Sequence, residues 1–315
     1  MQREKRVLSG KLLDVDFFPV WNDGRRMPTR APKTEASSEA QAKYNHSQAV
    51  KKLVRVINTN FITGDHFTHL TYSPEKAPAN SREARRHMTN FLNRIKRRRA
   101  SLLKKLQKRL EGLEVLLEAS PDSALLETVL ELRAKVKDLS REFRYVYVVE
   151  MTVYKRGRYA GLVNYHFHAF MTGGLDASVI ESEWRYGAGV NVDSFQPETF
   201  GPECAAAYLA KDATKPLDGA STRRIVCSKN IKKPKQLKNR DGKISRAGVE
   251  KMVRLHADDR DYWERRYPGY RFIRTFSRYN SYNGHWYLSV IMYRNDGPPP
   301  RWTLEDDDLW MAEAG

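Results

Sequence analysis

A chain of 315 residues can bury one good core with a smaller appendage. Its 40% apolar share is ordinary for a soluble protein, no run approaches the ~20 apolar residues of a membrane span, and two cysteines are too few for a disulfide framework or a thiolate zinc site. A net charge of +18 suits a polyanionic partner, and sixteen tyrosines and six tryptophans offer surfaces on which unpaired bases can stack. The opening MQREKRVLSG lacks the apolar core of a signal peptide, which with the free cysteines predicts a cytoplasmic protein.

Residues 1–49 read as an N-terminal arm, with one short strand over 11–18 followed by a loose polar stretch over 22–47. Residues 48–62 suit a helix with Val50, Leu53, Val54 and Ile57 on one face. Gly64 and Asp65 turn the chain into a strand, HFTHLTYS at 66–73, which Pro74 ends. A helix begins near Ser81 and carries Ala84, Met88, Phe91, Leu92 and Ile95 on its apolar face. Arg85, Arg86, Arg97 and Arg98 crowd its other side, which is either a solvated face or a phosphate-contacting one. Leu103, Leu106, Leu110, Leu113 and Leu117 then form a coiled-coil seam, and Leu125, Val129, Leu132, Val136 and Leu139 repeat it after the Ser120–Ser123 break. This predicts an inserted, self-packing antiparallel helical hairpin over 101–140, dispensable for chemistry because no candidate site residue lies in it.

The next two strands carry the first chemical signal. Tyr145–Glu150 is an apolar run that ends on a carboxylate, and Tyr165–Phe170 holds His166 and His168 at i and i+2. Alternate residues of a strand share a face, so the two imidazoles point the same way. They are either ordinary sheet histidines or two thirds of a metal site. The intervening KRGRYAG suits a hairpin connection, which could bring Glu150 beside them; otherwise Glu150 is a solvated strand end. Two imidazoles and a carboxylate suit Mn²⁺ or Mg²⁺ with positions open to phosphate oxygens or water.

A short helix over 176–184, a glycine-rich break at 186–189 and a strand over 190–195 follow. Alanines and a leucine in 205–210 favour a helix over 202–212 that places Tyr208 and Lys211 on one face. A phenol with a free pKa of about 10 is a poor nucleophile unless a nearby cation or a polarised phosphate assists it. Residues 223–228 read as a strand and 229–246 as a basic loop with Lys229, Lys232, Lys233 and Lys235. A helix over 247–266 and strands over 271–276 and 285–293 complete a small C-terminal α+β extension within 229–300, before an acidic tail at 301–315.

Taken together, HFTHLTYS at 66–73, HFHAF at 166–170 and YLAK at 208–211 resemble the three motifs of the HUH endonucleases, in particular the single-tyrosine rolling-circle replication initiators of plasmids and phages of Gram-positive type. The resemblance covers residues 50–230 and extends loosely to CSKNIKKP at 227–234. His69 departs from the apolar residue or Thr usual at that place in the first motif. The resemblance implies an α+β nuclease domain over 50–228, with a central antiparallel sheet flanked by helices. It implies His166, His168 and Glu150 as metal ligands, Tyr208 as nucleophile and Lys211 as its assistant. The implied substrate is single-stranded DNA or an origin hairpin. With no Gly-x-x-x-x-Gly-Lys-Ser/Thr loop in the chain, a host helicase and polymerase are the implied partners. The alternatives are a conjugative relaxase, which usually carries a third histidine, and a non-catalytic DNA-binding regulator. A phosphoesterase with two His-x-Thr/Ser motifs fits less well, because His166-Phe167-His168 lacks the second hydroxyl.

Overall fold

The computed structural model describes residues 1–21, 39–153, 156, 158–161, 163–187, 189–197, 201 and 225–297. The fold is α+β, with antiparallel sheets flanked by helices. The chain divides into two compact units, one of Asn60–Ile231 and one of Met1–Thr59 with Lys232–Gly315.

The Asn60–Ile231 unit is built on five strands: β3 (His66–Thr71), β4 (Tyr145–Val153), β5 (Val163–Met171), β6 (Val190–Ser194) and β7 (Ile225–Cys227). Their spatial order is β6-β3-β5-β4-β7, every pairing antiparallel. Leu70, Tyr147, Val149, Phe167 and Ala169 face one way and join a core with Met88, Phe91, Leu92 and Ile95 of α2 (Ser81–Ala119). Trp184 closes that core beside α4 (Ala177–Glu183), its indole donating to the Thr71 carbonyl at 2.7 Å. Gly187 is required by the same approach: a Cβ there would lie 1.8 Å from the Thr71 oxygen.

The start of α2 is written locally. The Asn80 side chain accepts from the Glu83 amide at 3.0 Å, and the Glu83 carboxylate accepts from the Ala79 amide at 2.9 Å, closing a reciprocal cap. The helix then runs unbroken for 39 residues, so the first arm of the expected insertion is a continuation of the sheet-covering helix rather than a separate element. No proline interrupts 81–119, and nothing local stops the helix before Ser120. The second arm, α3 (Ser123–Ser140), begins on Asp122 and returns along the predicted seam, with Val129, Leu132 and Leu139 buried.

The seam does not end at the hairpin. Leu106, Leu132 and Leu139 belong to the core under the sheet. Arg99, 4% exposed, donates to the carbonyls of Thr172, Leu139 and Arg141 at 3.1 to 3.2 Å. Removing all of 103–139 would therefore open the core, and only the exposed tip around Val115, Leu116, Leu126 and Leu130 is separable from it.

The second unit overturns the expected N-terminal arm. β1 (Gln2–Ser9) and β2 (Leu12–Pro19) form a hairpin at the centre of a six-stranded antiparallel sheet. Its order is β10-β11-β2-β1-β8, with β9 also on β1; β10 is Tyr270–Asn280 and β11 is His285–Arg294. The basic loop contributes β8 (Lys235–Gln236) and β9 (Arg240–Asp241), and the predicted single helix over 247–266 is two, α5 (Arg246–Leu255) and α6 (Arg260–Arg266). β1 escapes notice because its inward positions are polar. Glu4, 2% exposed, accepts from the Tyr267 hydroxyl at 3.0 Å and from Arg266 at 3.2 Å, so a charged residue is buried with partners.

α1 spans Glu39–Asn60, starting within the stretch expected to be loose, and buries Leu53, Val54 and Ile57. Arg55 donates to Asp14 at 2.9 Å and Lys51 to Asp16 at 2.5 Å, tying the helix to β2. The predicted acidic tail, 301–315, lies outside the described residues.

Arg99→Met should destabilise the protein by about 3 kcal/mol, because the buried carbonyls of Thr172 and Leu139 and the half-buried ones of Asp138 and Arg141 lose a charged donor. The urea midpoint of the fluorescence transition measures it; a shift within error of wild type would mean water satisfies those carbonyls.

Candidate metal centre

Pairing register assembles the site. Across β3 and β5, His69 is opposite His168 and Thr71 opposite His166. Across β4 and β5, Glu150 is opposite His166 and Val148 opposite His168. Opposed residues in an antiparallel ladder share a face, so His69, His166, His168 and Glu150 all lie on the face away from α2.

His166 Nε2 donates to Glu150 Oε2 at 2.6 Å, and His168 Nε2 lies 3.3 Å from the same oxygen. The His69 and His168 rings stack with centroids 4.3 Å apart, and His166 stands edge-on 5.4 Å from each. Phe67 stacks on His168 at 6.2 Å and touches Phe170 at 4.9 Å, which walls one end of the cluster with aromatic carbon. Glu150 and His168 are buried and His166 half-buried.

The electrostatics are those of a preassembled donor set. Burial pushes the Glu150 carboxyl up, but hydrogen bonds from His166 and His168, with their charge, outweigh it and hold it down at about 2. Burial, reinforced by the neighbouring imidazoles of His168 and His166, lowers His69 to about 4, against an upward pull from Glu150. At neutral pH the carboxylate is therefore charged and His69 is neutral, the form in which an imidazole binds metal.

Among the described residues, one nitrogen from each of His69, His166 and His168 lies within 4.8 Å of the others, a grouping able to hold a metal ion. The fit has a second observation. His69 Nε2 is buried and has no hydrogen-bond partner, a cost that coordination would offset. Three imidazoles match a divalent first-row ion, and the Glu150 carboxylate lies against two of them.

His166, His168 and Glu150 are thus brought together as the sequence suggests. His69 joins them as a residue that the motif pattern marks only as a departure. The one signal that could have found it is register, since pairing β3 with β5 at any odd offset would send His69 to the core face. Tyr208 and Lys211 lie outside the described residues.

The basic candidates are scattered over both units. Arg86 pairs with Glu83 at 2.9 Å, Arg98 with Glu183 at 2.7 Å, and Arg97 donates to the Asn93 carbonyl. Arg85 is half-buried on the same helix. Lys229 lines a pocket of about 370 Å³ with Asn93, Lys96, Phe143 and Tyr145, and strand parity puts Tyr145 on the face opposite the histidines. Lys232 and Lys233 are exposed, and Lys235 begins β8 in the other unit.

Comparison of the chain with protein-family models, with curated proteins and with solved structures finds no match. Among the described residues no helix is long and apolar enough to cross a membrane.

Outer partners of metal ligands are worth about 10–100-fold in affinity, so loss of a direct ligand should cost more than tenfold. Calorimetric titration of His69→Ala with Mn²⁺ should show that loss; unchanged affinity would remove His69 from the ligand set. The metal-free protein should also lose stability in acid. His69 takes up its proton near pH 6.5 when unfolded but near 4 when folded, so the unfolded chain binds more protons between those values. Stability is full above pH 6.5 and declines as the pH falls toward 4, and Glu150 extends the decline toward 2. Urea midpoints across this range should flatten in His69→Gln above pH 4.5, where Glu150 does not yet contribute.

Proposed function

We propose that this chain is an HUH-type rolling-circle replication initiator that nicks single-stranded origin DNA with Tyr208. The observation that carries the reading is the shared face of His69, His166, His168 and Glu150 on a five-stranded antiparallel sheet. The three motif-like stretches and the charge of +18 support it. The central sheet and its flanking helix α2 would form the HUH core, with 81–140 as an elaboration of it.

His69, His166, His168 and Glu150 would hold the ion, Mn²⁺ or Mg²⁺. When bound, it would supply Lewis acidity toward a phosphate oxygen of the scissile bond. Without the ion, the 2.6 Å contact between Glu150 and His166 holds the plane of the imidazole. The Tyr208 oxygen attacks phosphorus, its proton leaving to a base or water; the bond from phosphorus to the 3′ oxygen breaks, and that oxygen departs as a protonated hydroxyl. The products are a 5′-phosphotyrosine link and a free 3′-OH primer for a host polymerase, reached without nucleotide hydrolysis. Lys211, three residues after Tyr208 in the sequence, would lower the cost of the phenolate. Arg85, Arg86, Arg97, Lys229, Lys232, Lys233 and Lys235 would contact phosphates.

One observation favours a second reading. A conjugative relaxase of the same superfamily usually carries a third imidazole, and His69 supplies one. The chemistry is the same and the strand's destination differs.

A nicking assay on intergenic DNA of the source element tests the proposal. EDTA should abolish cleavage and Mn²⁺ restore it. Tyr208→Phe should bind DNA as wild type does yet form no covalent adduct, with wild-type adduct mapping to 202–215. Cleavage undiminished in EDTA, or an adduct persisting in Tyr208→Phe, would overturn the assignment; binding without cleavage under every condition would leave a regulator.

A further inference from the structure

The β10–β11 ribbon belongs to the unit that does not hold the histidines, and it carries an unusual face. From Arg274 onward the two strands pair in strict register, with Arg274 opposite Ile291, Phe276 opposite Ser289 and Arg278 opposite Tyr287. Before that point Arg271 is opposite Tyr293, and the register shifts between Phe272 and Arg274. A single inserted residue reverses the alternation of a strand. That bulge puts Arg271 on the same face as Arg274, Phe276 and Arg278; without it, Arg271 would point to the side packed by α5 and α6.

Three guanidinium groups lie over aromatic rings along this face. Arg274 sits 4.8 Å from the Phe276 ring, Arg278 5.5 Å from Tyr287, and Arg271 5.5 Å from Tyr293. Among the described residues neither Arg271 nor Arg278 has an ion-pair partner, and Arg271 Nε is buried without a hydrogen bond. The carboxylates of the same sheet face, Asp14 and Asp16, are already neutralised by Arg55 and Lys51. Phe276 is 52% exposed, a large apolar ring set between two exposed arginines. Charged residues on an edge strand also prevent edge-to-edge pairing, but that role calls for no exposed phenylalanine.

We propose that this face of β10–β11 binds single-stranded nucleic acid, with bases stacked on Phe276 and the arginine planes and phosphates held by the guanidinium groups. Alternating planar cations and rings answer the two features of an unpaired strand, its charged backbone and its exposed base faces. A duplex offers only the first, because its bases are stacked on one another. The inference rests on this surface alone and stands whether or not Tyr208 cleaves DNA.

Fluorescence anisotropy of the full chain with a labelled oligothymidylate, in EDTA, tests it. Phe276→Ala should weaken binding about tenfold, the order expected for removing one base-stacking platform, and Phe276→Trp should retain wild-type affinity. Arg274→Ala with Arg278→Ala should weaken binding further and reduce the salt slope by about 0.7 for each phosphate no longer neutralised. Arg274→Lys with Arg278→Lys should keep the salt slope but lose affinity, since the charge survives and the plane does not. Equal affinity in the Phe276→Ala, Arg274→Ala, Arg278→Ala triple variant would overturn the proposal, as would tighter binding of a duplex of the same length. Photo-crosslinking of a halogenated-uracil oligonucleotide to the wild-type chain gives a check free of any folding effect. Adducts should map to 271–293, and adducts confined to Asn60–Ile231 would overturn the assignment. Failure of nicking with these results intact would refute the initiator reading and leave this surface in place.

Discussion

A single carboxylate oxygen stands at the centre of the candidate site. Glu150 Oε2 lies 2.6 Å from His166 and 3.3 Å from His168, on a buried side chain facing two imidazoles. An isolated charge there would be expelled by desolvation; two ring N–H groups hold it. That arrangement exists only because three strands meet in one register, and the register is enforced from the other side of the sheet. Leu70, Tyr147, Val149, Phe167 and Ala169 must all face α2. Slipping either ladder by one residue would bury histidines in the apolar core and expose phenylalanine, so the packing of the core face fixes the polarity of the functional face.

The same division of labour recurs in the other unit. The β2 strand sends Leu13, Val15 and Phe17 into a core with Trp263, Tyr267 and Met252, while Asp14 and Asp16 on its back are neutralised by Arg55 and Lys51 of α1. Paired buried charges contribute little net stability, but an unpaired one is costly, so these ion pairs select one seating of α1 over its alternatives. Polar networks of this kind, Glu4 with Tyr267 and Arg266 included, explain how a highly charged chain supports two sheets.

The helical hairpin shows how a local pattern and its tertiary meaning differ. Its heptad seam is plain in Leu103–Leu117 and Leu125–Leu139, and of the residues expected on it Leu106, Val129, Leu132 and Leu139 are buried and the rest half-buried. What the seam does not reveal is that its base continues into the sheet core through Leu106, Leu132 and Leu139, with Arg99 capping carbonyls beneath it. Heptad spacing reports that a stripe is apolar and is silent on what else touches it.

Sequence alone determined the strands that alternate cleanly, the start of α2 near Ser81, the two-helix seam and the pairing of His166 with His168 on one face. In each the signal is local, a period of two or 3.6 residues. It also suggested Glu150, because KRGRYAG is a connection short enough to fold one strand back on the next. Tertiary structure decided the rest. The β1–β2 hairpin is invisible locally, because its inward Gln2, Glu4 and Arg6 are polar and find partners more than 230 residues away. His69 is nearly 100 residues from His168, and its place in the cluster follows from a ladder between strands that no local period can register. The Arg271–Arg278 face depends on one bulge, a shift of a single residue that leaves the composition of the strand untouched and reverses which way its side chains point.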